Sequence, residues 1–283
     1  MGLVLTTLIW GATFVIVKEA LHDAPPFAFG AYRFLSATIF MMIIVRKEIL
    51  HLTRYEFLGA CGCGFFLFTG YTFKNFGLWD NVFYLSTSPS KSAFITSISV
   101  LMVPLFISIA GLQKISVKFW FAVVLAMVGL YLLLDPSGTG MNRGDLLTFG
   151  CATSFAIHII LQDKYAKSEI NISRFFFIQI VVVTILSFIS SFAIETHQIV
   201  WTNRLILAIL LTGIFATAIA ILMMIWAQQY LSASKTAIIF SLEPVFAATF
   251  SWILISEVLG FWGWVGGILV VLAVVWGEVS SEE

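Results

Sequence analysis

The sequence predicts an all-α polytopic membrane protein whose ten transmembrane helices form an inverted repeat, five plus five. Three observations carry that expectation. Hydrophobic residues make up 60% of the 283 residues and charged residues 11%, with a mean hydropathy of +1.02. A soluble domain carries roughly 25% charged residues, so lipid is the solvent for most of this surface. Apolar runs of spanning length recur between short polar breaks, and no long stretch alternates with a period of two. Finally, Ser88-Pro-Ser-Lys-Ser-Ala-Phe-Ile-Thr-Ser97 returns 144 residues later as Ser232-Ala-Ser-Lys-Thr-Ala-Ile-Ile-Phe-Ser241, identical at six of ten positions, and Trp120 pairs with Trp264 at the same offset. A unit with an odd number of spans, once duplicated, sits in the membrane in two opposite orientations. That is the usual construction of a secondary transporter, with its substrate site between the halves.

Taken in order, the expected spans are 2–21, 26–45, 56–76, 87–110, 118–135, 145–163, 174–194, 205–230, 234–256 and 259–277. Pro25 and Pro26 separate the first two, and a proline in a first helical turn costs little because its missing donor has no partner there. Asp135-Pro-Ser-Gly-Thr-Gly140 and Glu195-Thr-His-Gln198 mark two later breaks. The first repeat occupies 1–135, the linker 136–144 and the second repeat 145–283. The first apolar stretch has no positive leading segment and no A-x-A site, and it matches the start of the repeat, so it reads as a span and not as a cleaved signal.

Basic residues set the orientation. With a cytoplasmic N-terminus, nine fall on inner connections (Arg46, Lys47, Arg54, Lys114, Lys118, Lys164, Lys167, Arg174, Lys235) and five on outer ends (Lys18, Lys74, Lys91, Arg143, Arg204). Both termini are therefore expected in the cytoplasm, with the protein in a bacterial inner (cell) membrane. Lys91 outside and its mate Lys235 inside agree with inversion.

Several segments resemble the EamA-type members of the drug/metabolite transporter superfamily: Leu8-Ile-Trp-Gly-Ala-Thr-Phe14, Ser92-Ala-Phe-Ile-Thr96 with Pro104, Leu242-Glu-Pro-Val245, Ser256-Glu-Val-Leu259 and Gly266-Gly267. The match covers essentially the whole chain, one unit per half. The resemblance implies ten helices, an inverted repeat, and export or exchange of small metabolites, without implying one substrate. Two features depart from it. Gln113 stands where the second half has Glu257, and Asp80-Asn-Val-Phe-Tyr-Leu85 reads as an insertion that either lids the outer mouth or lengthens a helix.

Ionisable groups within spans are costly and mark function by default. Glu243 falls near the midplane of the ninth span, with Pro244 freeing the carbonyl of Phe240. It either holds a coupling proton, contacts a substrate amine, or packs helices through a hydrogen bond to a neighbour. His158 and Gln162 share one face of the sixth span, where the imidazole either donates to a substrate or relays a proton, or else bonds a backbone carbonyl or Gln162. Arg33 either grips a substrate carboxylate or pairs with Glu19 or Asp23, the pairing or gating role being preferred. Lys74 and Lys91 edge an outer vestibule or face headgroups, and Lys18 shares that status. Ser92, Thr96 and Ser99 form one stripe, for close packing or for a cavity wall. Trp10 with Phe14, and Trp226 with Tyr230, are four apart and suit cavity walls, gates or interfacial anchors. Gln179 and Gln228 could orient a substrate. The expected substrate-binding set is thus Trp10, Phe14, Thr96, His158, Gln162, Gln179, Trp226 and Tyr230. The coupling or gating set is Glu243, Arg33, Lys74 and Lys91.

Zero net charge implies no nucleic-acid partner. Cys61, Cys63 and Cys151 suggest neither a metal site nor a disulfide framework. No phosphate loop, zinc pattern or G-x-S-x-G occurs, so neither a cofactor, a metal nor an enzyme activity is expected. With no motor in the chain, a gradient of substrate, ion or proton must drive transport. The expected cargo is a small organic metabolite, an amino acid or related solute. The alternative is a lipid or amphiphile flippase, or another membrane-embedded lipid-handling protein.

Overall fold

In hydrocarbon a backbone has no water to bond, so apolar runs close their own hydrogen bonds as helices. The computed structural model describes residues 2–45, 52–80, 85–134, 141–196, 198–255 and 260–279, and among these it contains no strand. The helices are α1 (Gly2–Ala20), α2 (Pro26–Val45), α3 (Arg54–Leu78), α4 (Pro89–Ser97), α5 (Ser99–Ile109), α6 (Val117–Leu134) and α7 (Arg143–Ala166). They continue as α8 (Ile172–Ile194), α9 (Asn203–Leu210), a π-helical stretch (Leu211–Ile219), α10 (Ala220–Gln228), α11 (Ala233–Phe240), α12 (Glu243–Ile255) and α13 (Phe261–Val279). Six stretches are long and apolar enough to cross a membrane: α1, α2, Pro89–Ile109, α7, α8 and Asn203–Gln228. Val117–Leu133 and Phe261–Gly277 are shorter apolar helices. The expected linker residues 136–140, loop residues 81–84, basic residues Arg46 and Lys47, and the Ser256–Leu259 motif lie outside the described residues.

Three expected spans are not single α-helices. The fourth is α4 and α5, the eighth is α9, the π stretch and α10, and the ninth is α11 and α12. The repeated ten-residue motif supplies the reason in two of them. Its first serine is an N-cap in both copies: Ser88 Oγ accepts the Lys91 amide and Ser232 Oγ accepts the Lys235 amide, each at 3.3 Å. Its last serine bonds back along the helix, from Ser97 Oγ to the Ala93 carbonyl (2.9 Å) and from Ser241 Oγ to the Ile238 carbonyl (2.6 Å). Such back-bonding bends helices, and the first helix of each pair ends at or just before this serine. The motif is therefore one half-helix, from cap to break. Pro244, expected to break a continuous helix, is the second residue of α12, where its missing donor is tolerated.

Around these breaks α1 packs on α12 and α10, α2 on α8, α3 on α7 and α8, and α6 on α13. Large apolar side chains such as Ile43 on α2, Phe121 on α6 and Phe192 on α8 remain exposed on the outside, where lipid replaces water. The α6–α13 pair closes through small residues. A Cβ on Gly129 would lie 2.8 Å from the Gly266 carbonyl oxygen and 2.9 Å from the Val270 amide, so the two backbones touch. Gly129→Val is expected to cost about 1–3 kcal/mol through overpacking. A lower melting temperature in detergent, at unchanged helical content, is the measurement that checks it.

Candidate functional site

One cavity lies where the broken helices meet. Its wall takes Trp10 and Thr13 from α1, Leu67, Tyr71 and Lys74 from α3, and Thr96, Ser97 and Ser99 from the α4–α5 break. Phe155, His158 and Ile159 come from α7, Ile221 and Met224 from α10, and Phe240 and Glu243 from the α11–α12 break. Arg33 of α2 completes it. Five of these residues reach the cavity where their helices stop or start: Thr96 and Ser97 end α4, Ser99 begins α5, Phe240 ends α11 and Glu243 begins α12.

The charged groups stand in a neutral framework. Arg33 is 1% exposed. Its Nε donates to Thr217 Oγ1 (2.9 Å) and one Nη donates to the Tyr71 hydroxyl (3.2 Å), with the guanidinium carbon 4.4 Å from the Tyr71 ring centre. The π stretch places Thr217: its hydroxyl donates to Thr212, five residues back (2.9 Å). Gly213 lets the stretch approach α2, since a Cβ there would lie 2.6 Å from the Arg33 carbonyl oxygen. Lys74 is 4% exposed, and its ammonium sits 3.6 Å from the centre of the Phe14 ring. Glu243 is 5% exposed. Among the described residues, none of the three has an ion-pair partner.

His158 Nε2 meets Gln179 Oε1 at 3.1 Å, in place of the expected bond to Gln162. Gln162 donates to Gln228 (2.9 Å), which donates to the Ile159 carbonyl (3.1 Å), so these two amides tie α7 to α10 behind the cavity wall. Trp10 Nε1 donates to the Ala216 carbonyl in the π stretch (2.7 Å), and its ring meets Phe240 edge-on at 5.0 Å.

Of the expected substrate-binding set, then, Trp10, Thr96 and His158 line the cavity. Phe14 and Gln179 stand one layer behind, under Lys74 and His158. Trp226 and Tyr230 are corrections. They are 51% and 74% exposed and meet edge-to-face at 5.7 Å, away from the cavity, Trp226 on the outward face of α10 and Tyr230 just beyond its end. Lys74 is buried at the cavity and not at an outer vestibule. Lys91 is another correction: its ammonium is tied to Asp145 (2.6 Å) at the start of α7. Ser92 is buried off the cavity, so only part of the hydroxyl stripe reaches it. Sequence reasoning missed Tyr71, Thr13 and Phe155. A tyrosine three residues before Lys74 on one helix face was the available signal for the first.

The ion pairs gather at helix ends. Arg204 holds Asp23 through two bonds (2.8 and 3.0 Å) and reaches Glu19 (3.0 Å), so the acids expected beside Arg33 belong to Arg204. The Thr202 hydroxyl adds a bond to Asp23 (2.6 Å). Lys18 binds Asp80 (3.2 Å) and Ser86 (2.9 Å). Glu195 caps the start of α2, accepting from the amides of Phe27 (2.7 Å) and Ala28 (2.9 Å). Arg174 pairs with Glu56 at the opposite end.

The model of the EamA-like transporter family matches residues 1–135 and again 142–276. An uncharacterized transporter of Archaeoglobus fulgidus is 34% identical over 276 residues, covering 97% of this chain and 84% of its own. The uncharacterized transporter YoaV of Bacillus subtilis is 23% identical, covering 91% and 88%. A crystal structure with a TM-score of 0.78 and 15% identity covers 99% of this chain and 98% of its own, a likeness of fold.

The Arg204 guanidinium, by its hydrogen bond and charge, holds the Asp23 carboxyl below the usual carboxylate range, while partial covering acts the other way. A lowered folded value means stabilisation that is full above the unfolded value of about 3.9 and fades as pH falls through the folded one. Asp23→Asn is therefore expected to melt below the wild type at pH 7. The gap should close below about pH 4, read from melting curves of both proteins across that range.

Proposed function

The chain belongs to the EamA-like transporter family, and from that premise we propose that it is a secondary carrier. It moves a small organic metabolite, an amino acid or related solute, across the cell membrane by alternating access. The observation that carries the reading is the cavity between the two family-matched halves, built from helices broken in both at the same point of the repeat. Discontinuous helices around a central site are how such carriers expose backbone ends to cargo. The wall combines the rings of Trp10, Phe155 and Phe240 with hydroxyls, an imidazole and three charged groups, which suits a solute with both apolar and polar parts.

The halves are related by inversion in this reading, with repeats 1–135 and 145–283, both termini in the cytoplasm and the chain in a bacterial inner membrane. The α6–α13 contact supports a two-fold relation. The 144-residue offset takes Ala122 to Gly266 and Gly129 to Ala273. Gly129 touches Gly266, and Ala122 and Ala273 share one cluster, so exchange of the halves maps the contact onto itself. Export is the direction, and Glu243 or His158 carries a coupling proton.

Counterflow in proteoliposomes loaded in turn with pooled amino acids, nucleobases and sugar phosphates tests the carrier. Uptake stimulated by the amino-acid pool is expected. No stimulation by any pool, together with competition by lipid analogues in a flipping assay, would favour lipid handling. Glu243→Gln is expected to abolish accumulation driven by a pH gradient while sparing counterflow. Loss of both activities together would remove the coupling role.

A further inference from the structure

We propose that the central cavity contains a carboxylate subsite formed by Arg33, Tyr71 and Lys74, and that the transported solute is one that presents a carboxylate. The inference rests on the carrier reading and deepens it. It starts from a charge that has nothing to balance it. An arginine stays protonated in proteins, and among the described residues Arg33 is buried with only neutral partners, Thr217 and Tyr71, while its second Nη has no hydrogen-bond partner there. Lys74, one helical turn beyond Tyr71, has no hydrogen-bond or ion-pair partner among the described residues. The acids that could have reached Arg33 are engaged elsewhere, Glu19 and Asp23 by Arg204 and Asp80 by Lys18.

Glu243 shares the cavity with both cations. If its charge offsets that of Lys74, the guanidinium is still unmatched, so the cavity carries one surplus positive charge. Burying a charge without a counter-ion is strongly unfavourable, and an anionic ligand removes that penalty. The surplus selects among ligands. Organic cations are repelled. A phosphate monoester brings a charge of about −1.5 to −2, more than the surplus. A carboxylate brings one charge and two acceptor oxygens, which suit the unpartnered Nη of Arg33 and the ammonium of Lys74. The Tyr71 oxygen accepts from Arg33, which leaves its own proton to donate to the same group.

The test uses the full chain, purified in detergent and reconstituted. The probes are leucine and 4-methylpentanoate, each beside its amide, read by ligand-induced thermal stabilisation and by counterflow. The acids are expected to stabilise and to exchange, and the amides to do neither. Lys74→Gln breaks no hydrogen bond and is expected to fold. It should weaken the apparent affinity for the acids roughly ten- to a hundredfold. Arg33→Lys keeps the charge without the fork and should weaken it as well. Amides that bind and exchange as well as their acids leave the carrier standing and overturn the subsite. So do folded Lys74→Gln and Arg33→Lys proteins with wild-type affinity. Acids that bind without counterflow support the subsite and remove the carrier reading. Absence of both signals for every probe overturns both. Leucine against 4-methylpentanoate separates the two sources of the carboxylate: a preference for leucine indicates an amino acid, and equal affinity a simple organic acid.

Discussion

A chain inside hydrocarbon must satisfy its own backbone, and an open helix end there is tolerated only where it faces protein or a water-filled cavity. This protein breaks three of its ten expected spans, and the rest of the structure follows from how those breaks are accommodated. Ser88 and Ser232 cap the helices that lead to two of them, and Ser97 and Ser241 bond back at the breaks themselves. At the third, the Ala216 carbonyl in the π stretch accepts from Trp10 of α1, and that of Ala220, at the start of α10, accepts from Thr6. The central helix α1 thus serves as hydrogen-bond donor to a neighbour whose own ladder is irregular. All three irregular spans contribute to the cavity or to the residues that hold Arg33.

Charge is distributed by the same logic. At the helix ends, where water is near, cations and acids meet directly: Arg204 with Asp23, Lys91 with Asp145, Lys18 with Asp80, Arg174 with Glu56. Three of these pairs, Asp23–Arg204, Lys91–Asp145 and Glu56–Arg174, join residues from opposite halves of the chain. At the centre, the dielectric is low and pairing is most needed, yet Arg33, Lys74 and Glu243 form no ion pair among the described residues, and Arg33 and Lys74 lie against neutral groups and ring faces. Unmatched charges in such a place hold binding capacity in reserve. The gating reading of Arg33 assumed a pair with Glu19 or Asp23, and the loss of that pair to Arg204 is what returns Arg33 to the cavity.

The spans, their order and the duplication were legible in the sequence because each rests on a local property. Hydropathy over some twenty residues is a property of the run itself, and the repeated Ser-x-Ser-Lys motif caps the same half-helix twice. The costly intramembrane residues Arg33, His158 and Glu243 stand out for the same reason, and all three line the cavity, where Lys74, expected at an outer helix end, joins them. What the sequence by itself determined is therefore the solvent, the helices, the family and a short list of polar residues that need an explanation. The tertiary structure alone decided which face of each helix is inside. A helix that is apolar all round gives no periodicity to mark the buried side. So Trp226 with Tyr230 and Trp10 with Phe14 read alike as pairs, yet Trp226 and Tyr230 are exposed while Trp10 meets Phe240 across the cavity. The partners of His158 and Gln162 and the approach of Tyr71 to Arg33 were likewise decided by packing, through contacts between residues 21, 66 and 38 positions apart.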